Sequence, residues 1–135
     1  MELRDVSRLL YQIKLADQRV ATAFENETGF SLTRYEMLMV VSDKGVCSQS
    51  EIKDAMNIDH AAVTRHLKIL EEKGYVTRER NAANHREVVV RLTDSAAEDL
   101  KSCERDHDAS NHLISTLSDA EMRQLSDLLE KLNQV

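Results

Sequence analysis

Residues 48–76 read SQSEIKDAMNIDHAAVTRHLKILEEKGYV, and the punctuation in this stretch decides the fold. Ser48-Gln49-Ser50-Glu51 is a capping box: the Ser48 hydroxyl accepts from the Glu51 amide while the glutamate reaches back to the Ser48 amide. It opens a short helix over 49–56, expected to turn Ile52 and Ala55 inward. After a brief break at Asn57-Ile58, Asp59 is the N-cap of a longer helix that runs to Lys73 and stops at Gly74. Val63, Leu67 and Leu70 share one side of that helix; His60, Thr64 and Lys68 recur at i, i+4 and i+8 on the other, with Arg65 beside them. One face packs and the other presents hydrogen-bonding groups. A short capped helix, a break and a two-faced helix make a helix-turn-helix over 48–73.

Outward from this centre the periodicity changes twice. Residues 75–80 and 88–92 are rich in β-branched residues, with a polar turn-forming stretch between them, and predict a hairpin wing over 75–92. Upstream, apolar residues at spacings of three and four predict one helix over 3–27 that ends at Gly29. A second helix follows, with a capping box at Thr33–Glu36, a hydrophobic staple of Leu32 and Met37, and a stop at Gly45. Downstream, a fifth helix starting near Thr93 or Ser95 carries Leu100, Cys103, His107 and Ile114 on its apolar stripe. A sixth opens with the capping box Ser118–Glu121 and carries Met122, Leu125, Leu128, Leu129 and Leu132. The expected fold is mainly α with a small β-hairpin: a winged helix-turn-helix within a single domain, 1–135, flanked by dimerisation helices over 3–27 and 94–135. The amphipathic terminal helices need a partner for their apolar faces, and a self-complementary homodimer is the simplest one.

Composition bounds the function. The 135 residues include no proline, three glycines and two cysteines, with a net charge of −6. No apolar run approaches the roughly 18 residues of a membrane span, and the N-terminus lacks a signal-peptide core, so a cytoplasmic, membrane-free protein is expected. Two cysteines without metal-ligand spacing make neither a disulfide framework nor a zinc ribbon. Charge is unevenly spread: residues 59–91 hold seven Lys/Arg against five Asp/Glu, whereas residues 94–135 hold four against ten. A mildly basic centre with acidic outer helices suits a DNA-facing core. No nucleophile–base pairing, carboxylate dyad or glycine-rich phosphate loop points to an enzyme, and no cofactor is implied.

Each candidate contact follows from the chemistry of duplex DNA. The small side chains Ala61 and Ala62 let the front of the recognition helix enter a major groove about 12 Å wide, where His60, Thr64, Arg65 and Lys68 meet base edges or phosphates. The amides at the front of the short helix, with Ser48, Gln49 and Ser50, are placed to dock a phosphate. Arg86 at the wing tip, with His85 next to it, suits a narrow minor groove, and Arg78 and Arg80 on the first strand suit the backbone.

The run IDHAAVTRHLKILEEKGYV from Ile58 to Val76, followed by Arg78-Glu79-Arg80 and by NHREVVVRLT from Asn84 to Thr93, resembles the MarR family of transcription regulators. The resemblance covers essentially the whole chain. It implies a dimer joined through the N- and C-terminal helices, two winged lobes, palindromic operators, and release of DNA by small aromatic or phenolic ligands or by oxidation. The wing departs from the family pattern: its usual Asp-x-Arg is Asn84-His85-Arg86, so the arginine lacks an ion-pair partner. A glycine that often follows the Leu-Thr pair is Ala96.

The sensing side is less marked. Tyr11 and Tyr35 are candidates to line an effector pocket. Redox-sensing relatives carry a cysteine in the first helix and this chain has none there; Cys47, before the short helix, is the alternative, because a helix N-terminus lowers a thiol pKa. Cys103, Glu104, His107 and His112 suggest a metal-responsive regulator, yet Glu36 stands where zinc-sensing relatives place a histidine, and no metal site is assigned. The other reading is a winged-helix protein-interaction module without DNA binding, favoured by the overall acidity and by Asn84.

Overall fold

Caps and glycines set the boundaries of the helices. In the computed structural model, which describes residues 1–106 and 116–134, the order is α1 (Leu3–Thr28), α2 (Leu32–Lys44), β1 (Val46–Ser48), α3 (Gln49–Met56), α4 (His60–Glu72), β2 (Val76–Arg80), β3 (Val88–Leu92), α5 (Asp94–Asp106) and α6 (Asp119–Leu132). Ser48 and Ser118 both form full capping boxes, with Glu51 and Glu121, and Asp59 caps α4 through the Ala62 amide at 2.7 Å. Gly45, at φ 76° and ψ −58°, closes α2 in a conformation strained for a residue with a Cβ.

One cap differs from expectation. The N-cap of α2 is Ser31, not Thr33: the Ser31 hydroxyl accepts from the Arg34 amide at 3.4 Å, and Thr33 already lies inside the helix. The shift has a packing cause. With Ser31 as cap, Phe30 and Tyr35 fall at the two staple positions, and their rings meet edge-on with centroids 5.6 Å apart. An aromatic staple replaces the expected pair of Leu32 and Met37.

By its backbone contacts the chain divides into two compact units. The larger, 24–107, holds the winged helix. Its sheet has three strands in the order β1-β3-β2, all antiparallel. The hairpin registers Val76 opposite Leu92 and Arg80 opposite Val88. Strand β1, unforeseen in the sequence, adds Cys47 opposite Val90. One apolar core joins every layer of this unit: Met37, Leu38 and Val41 from α2, Cys47, Ile52, then Val63, Leu67 and Leu70 from α4, with Val76, Val90 and Leu100. Truncating Leu67, which is fully buried, would cost about 2–5 kcal/mol. On α3 the inward residues are Gln49 and Ile52, whereas Ala55 is exposed, contrary to expectation.

Thr93 joins three elements. Its hydroxyl donates to the Gly74 carbonyl at 2.8 Å and accepts from the Ala96 amide at 3.2 Å, and its own amide donates to the Tyr75 carbonyl at 3.0 Å. The end of α4, the return of the wing and the start of α5 therefore share one side chain. Ala96 is fully buried and helical, so it needs none of the freedom of the glycine it replaces.

The smaller unit joins 1–23 to 108–135, and among its described residues neither α6 nor this stretch of α1 buries a side chain. Leu9, Leu10 and Tyr11 of α1 are exposed, as are Leu125, Leu128, Leu129 and Leu132 of α6. His107, Ile114 and His112 of the expected fifth helix lie outside the described residues.

Candidate nucleic-acid interface

Helix α4 has the two faces its sequence predicts. Val63, Leu67 and Leu70 are buried, while His60, Thr64, Arg65 and Lys68 are exposed, with Ala62 half-buried at the front. Arg65 and Lys68 make no hydrogen bond or ion pair among the described residues, so their charges are available. Thr64 is more committed: its hydroxyl donates to the His60 carbonyl at 3.1 Å and accepts from the Gln49 side-chain amide at 3.4 Å. Its hydroxyl hydrogen is therefore already used within the protein. Between the faces, His66 is half-buried with Nδ1 unpartnered; burial, then Arg34 and Arg65, push its imidazole below the ordinary value.

Helix α3 presents less than its sequence suggests. Ser48 and Gln49 are buried, the first occupied by the capping box and the second by Thr64. Of the three expected phosphate contacts only Ser50 is exposed.

The strand arginines are likewise engaged within the protein. Arg78 Nη2 lies 3.1 Å from Glu71 Oε1, across the turn at Gly74, and holds the glutamate carboxyl below its ordinary value. Its Nε is buried without a partner. Arg80 Nη1 donates to the His85 carbonyl at 2.8 Å. Both are expected from the sequence to suit the DNA backbone, and in the folded chain each guanidinium already bonds a group of the protein. Glu71 was not singled out in the sequence, although an acid three residues before Gly74 and a base four after it is a pattern for pairing across a turn.

The wing tip is built from amides. Asn81 pairs its backbone amide with the Glu87 carbonyl at 2.9 Å and its side chain with the Glu87 carboxylate at 3.3 Å. Asn84 Oδ1 accepts from the Arg86 backbone amide at 3.1 Å, so Asn84 shapes the turn and does not orient the Arg86 guanidinium. That guanidinium has no hydrogen bond or ion pair among the described residues, and His85 is exposed beside it.

The sensing residues are dispersed. Tyr35 packs in an aromatic cluster, edge-on to Phe24 at 5.2 Å and to Phe30, which in turn meets Tyr75 at 5.7 Å. Burial, with Cys103, Glu104 and Glu36, raises its hydroxyl above the ordinary value. Next to the cluster is an open groove of about 260 Å³ lined by Phe30, Tyr75, Asp99 and Cys103 among others. Tyr11, 59% exposed, belongs to the other unit and lines a separate shallow groove on α1. Cys47 is 2% exposed, and burial followed by the Glu51 charge raises its thiol, against the expected lowering by the helix end. Among the described residues no group of three or more His, Cys, Asp or Glu side chains is arranged to hold a metal ion.

Comparison with known proteins fixes the family. A model of the MarR family matches residues 30–88. An uncharacterised HTH-type transcriptional regulator of Bacillus subtilis, YdgJ, is 36% identical over 127 residues, which is 93% of this chain and 77% of the relative. The chain belongs to the MarR family. The multiple antibiotic resistance protein MarR of Salmonella typhimurium is 26% identical, over 97% of this chain and 92% of its own. Among solved structures, a mutant of Escherichia coli MarR complexed with operator DNA has a TM-score of 0.84 at 24% identity, covering 98% of this chain and 99% of that one. The transcriptional repressor CouR bound to a DNA duplex has a TM-score of 0.83 at 20% identity, covering 98% of both chains. These last two establish the MarR fold, mainly helical with a small antiparallel sheet. As a MarR-family member the chain is a transcriptional regulator and not an enzyme, and none of its described helices is long and apolar enough to cross a membrane.

Proposed function

We propose that this MarR-family chain is a dimeric repressor that reads a palindromic operator in duplex DNA. The observation that carries the reading is the two-faced α4, whose buried Val63, Leu67 and Leu70 hold an outward row of His60, Thr64, Arg65 and Lys68. The free Arg86 guanidinium at the wing tip supplies a second point of contact in an adjacent minor groove. Two such lobes on a two-fold axis place their recognition helices about 34–36 Å apart, one turn of DNA. The exposed leucines of α1 and α6 support the dimer, since an unpaired chain would leave both stripes in water.

A small aromatic effector is the favoured signal. The groove beside Phe30 and Tyr75 offers ring surface, and the carboxylates of Asp99 and Asp106 on its lining favour a neutral molecule over an anionic phenolate. Oxidation of Cys47 is disfavoured by its burial and raised thiol.

Selection of bound sequences from random duplexes, followed by fluorescence anisotropy across a salt series, tests the reading. Affinity for the selected palindrome should fall steeply with salt, and Arg65→Ala and Arg86→Ala should each weaken it while light scattering shows an unchanged dimer. Binding that ignores salt, or unchanged affinity in both variants, would point instead to a protein-interaction module.

A further inference from the structure

Strand β2, VTRER, ends on Arg80, opposite Val88, and the chain then turns through residues 81–87 before returning as β3. Within that turn one peptide group is pinned at both of its polar atoms. The His85 carbonyl accepts from Arg80 Nη1 at 2.8 Å, and the Arg86 amide, in the same peptide unit, donates to Asn84 Oδ1 at 3.1 Å. A peptide is planar, so fixing its oxygen and its N–H fixes the plane and with it the position of the Cα from which the following side chain leaves the backbone. That side chain is Arg86. Its guanidinium bonds nothing among the described residues.

We propose that Arg80 is a positioning residue for Arg86, and not a phosphate contact: it orients the wing arginine through the backbone of His85. Resting on the DNA-reading proposal above, this assigns the strand arginine a role that its sequence position does not show. It also accounts for how a wing with Asn84 in place of an acid keeps its shape. A carboxylate would restrain the Arg86 guanidinium directly and would have to release it, or share it, at the DNA. Restraint of the peptide leaves the full charge free and requires no ion pair to be broken on entry into the groove. The charge-assisted bond from Arg80, a single one from Nη1 at 2.8 Å, is the stronger of the two restraints.

The test has one arm without DNA and one with it. Backbone amide order parameters of the free protein should fall at His85 and Arg86 in Arg80→Ala, from about 0.85 toward 0.6, with α4 unchanged. For the selected operator, Arg80→Ala should weaken binding roughly tenfold in the parent chain and by less than about twofold in the Arg86→Ala background. Unchanged order parameters overturn the proposal. So does an equal loss in both backgrounds with the salt slope falling by about 0.9, the mark of a direct phosphate contact. Failure of the parent chain to bind any duplex would overturn the DNA reading, while the free-protein arm would still decide whether Arg80 holds the tip.

Discussion

Gln49 and Thr64, fifteen residues apart on different helices, are joined by a hydrogen bond of 3.4 Å from the buried glutamine amide to the threonine hydroxyl. The bond ties α3 to the outward face of α4 at the centre of the proposed DNA surface. Thr64→Val keeps the methyl group and the shape but leaves the Gln49 amide without its acceptor. A buried donor in that state costs about 1–3 kcal/mol. Thermal unfolding at fixed protein concentration should therefore show a lower midpoint for Thr64→Val, and the double variant Gln49→Leu/Thr64→Val should recover part of the loss. An unchanged midpoint in Thr64→Val would show that the bond carries no stability.

His66 gives the lobe a dependence on mild acid. Its imidazole is depressed in the folded state by burial and by Arg34 and Arg65, so the unfolded chain takes up the proton first. Stability is complete above the unfolded value of about 6.5 and declines as pH falls below it. His66→Gln should flatten the decline of unfolding free energy between about pH 7 and pH 5, read from urea titrations at each pH.

Glu71 acts in a lower window. Arg78 depresses its carboxyl, so the pair contributes above the unfolded carboxylate value of about 4.3 and is lost as pH falls through the depressed one. With 41% of the Glu71 side chain in solvent the contribution stays under about 1 kcal/mol. Glu71→Gln should be less stable than the parent at neutral pH, and the difference should close near pH 3 (roughly). A difference that persists there would point to packing and not to charge.

Cys47 should be slow toward thiol reagents. Burial and Glu51 raise its thiol, which leaves little thiolate at neutral pH. Mass spectrometry of brief alkylation should find Cys47 unmodified in native protein and modified in urea; rapid native labelling would restore it as a redox candidate.

The sequence made the framework legible because caps and stops are local. Ser48, Asp59 and Ser118 announce helices through their own neighbours, and Gly45 and Gly74 end them. Strand β1 escaped because three residues carry no periodicity, and its pairing partner β3 lies more than forty positions away. The sequence points to Thr33 as the cap of α2, and Ser31 takes that place because the choice turns on a ring contact between Phe30 and Tyr35. On α3 eight residues were too few to fix a face, so Ala55 was placed inward and Gln49 outward. In the interface, residue types read correctly as polar and exposed on α4, but employment did not: Thr64, Arg78 and Arg80 each already bond a group elsewhere in the fold.

The hydroxyl of Thr93 has a mechanical consequence. It fastens the tail of α4, the last strand and the first turn of α5 at one rivet, with bonds of 2.8 Å and 3.2 Å. Loss of that hydroxyl, as in Thr93→Val, would strip the Gly74 carbonyl and the Ala96 amide of a partner at once, loosening the end of α4 and the start of α5 together.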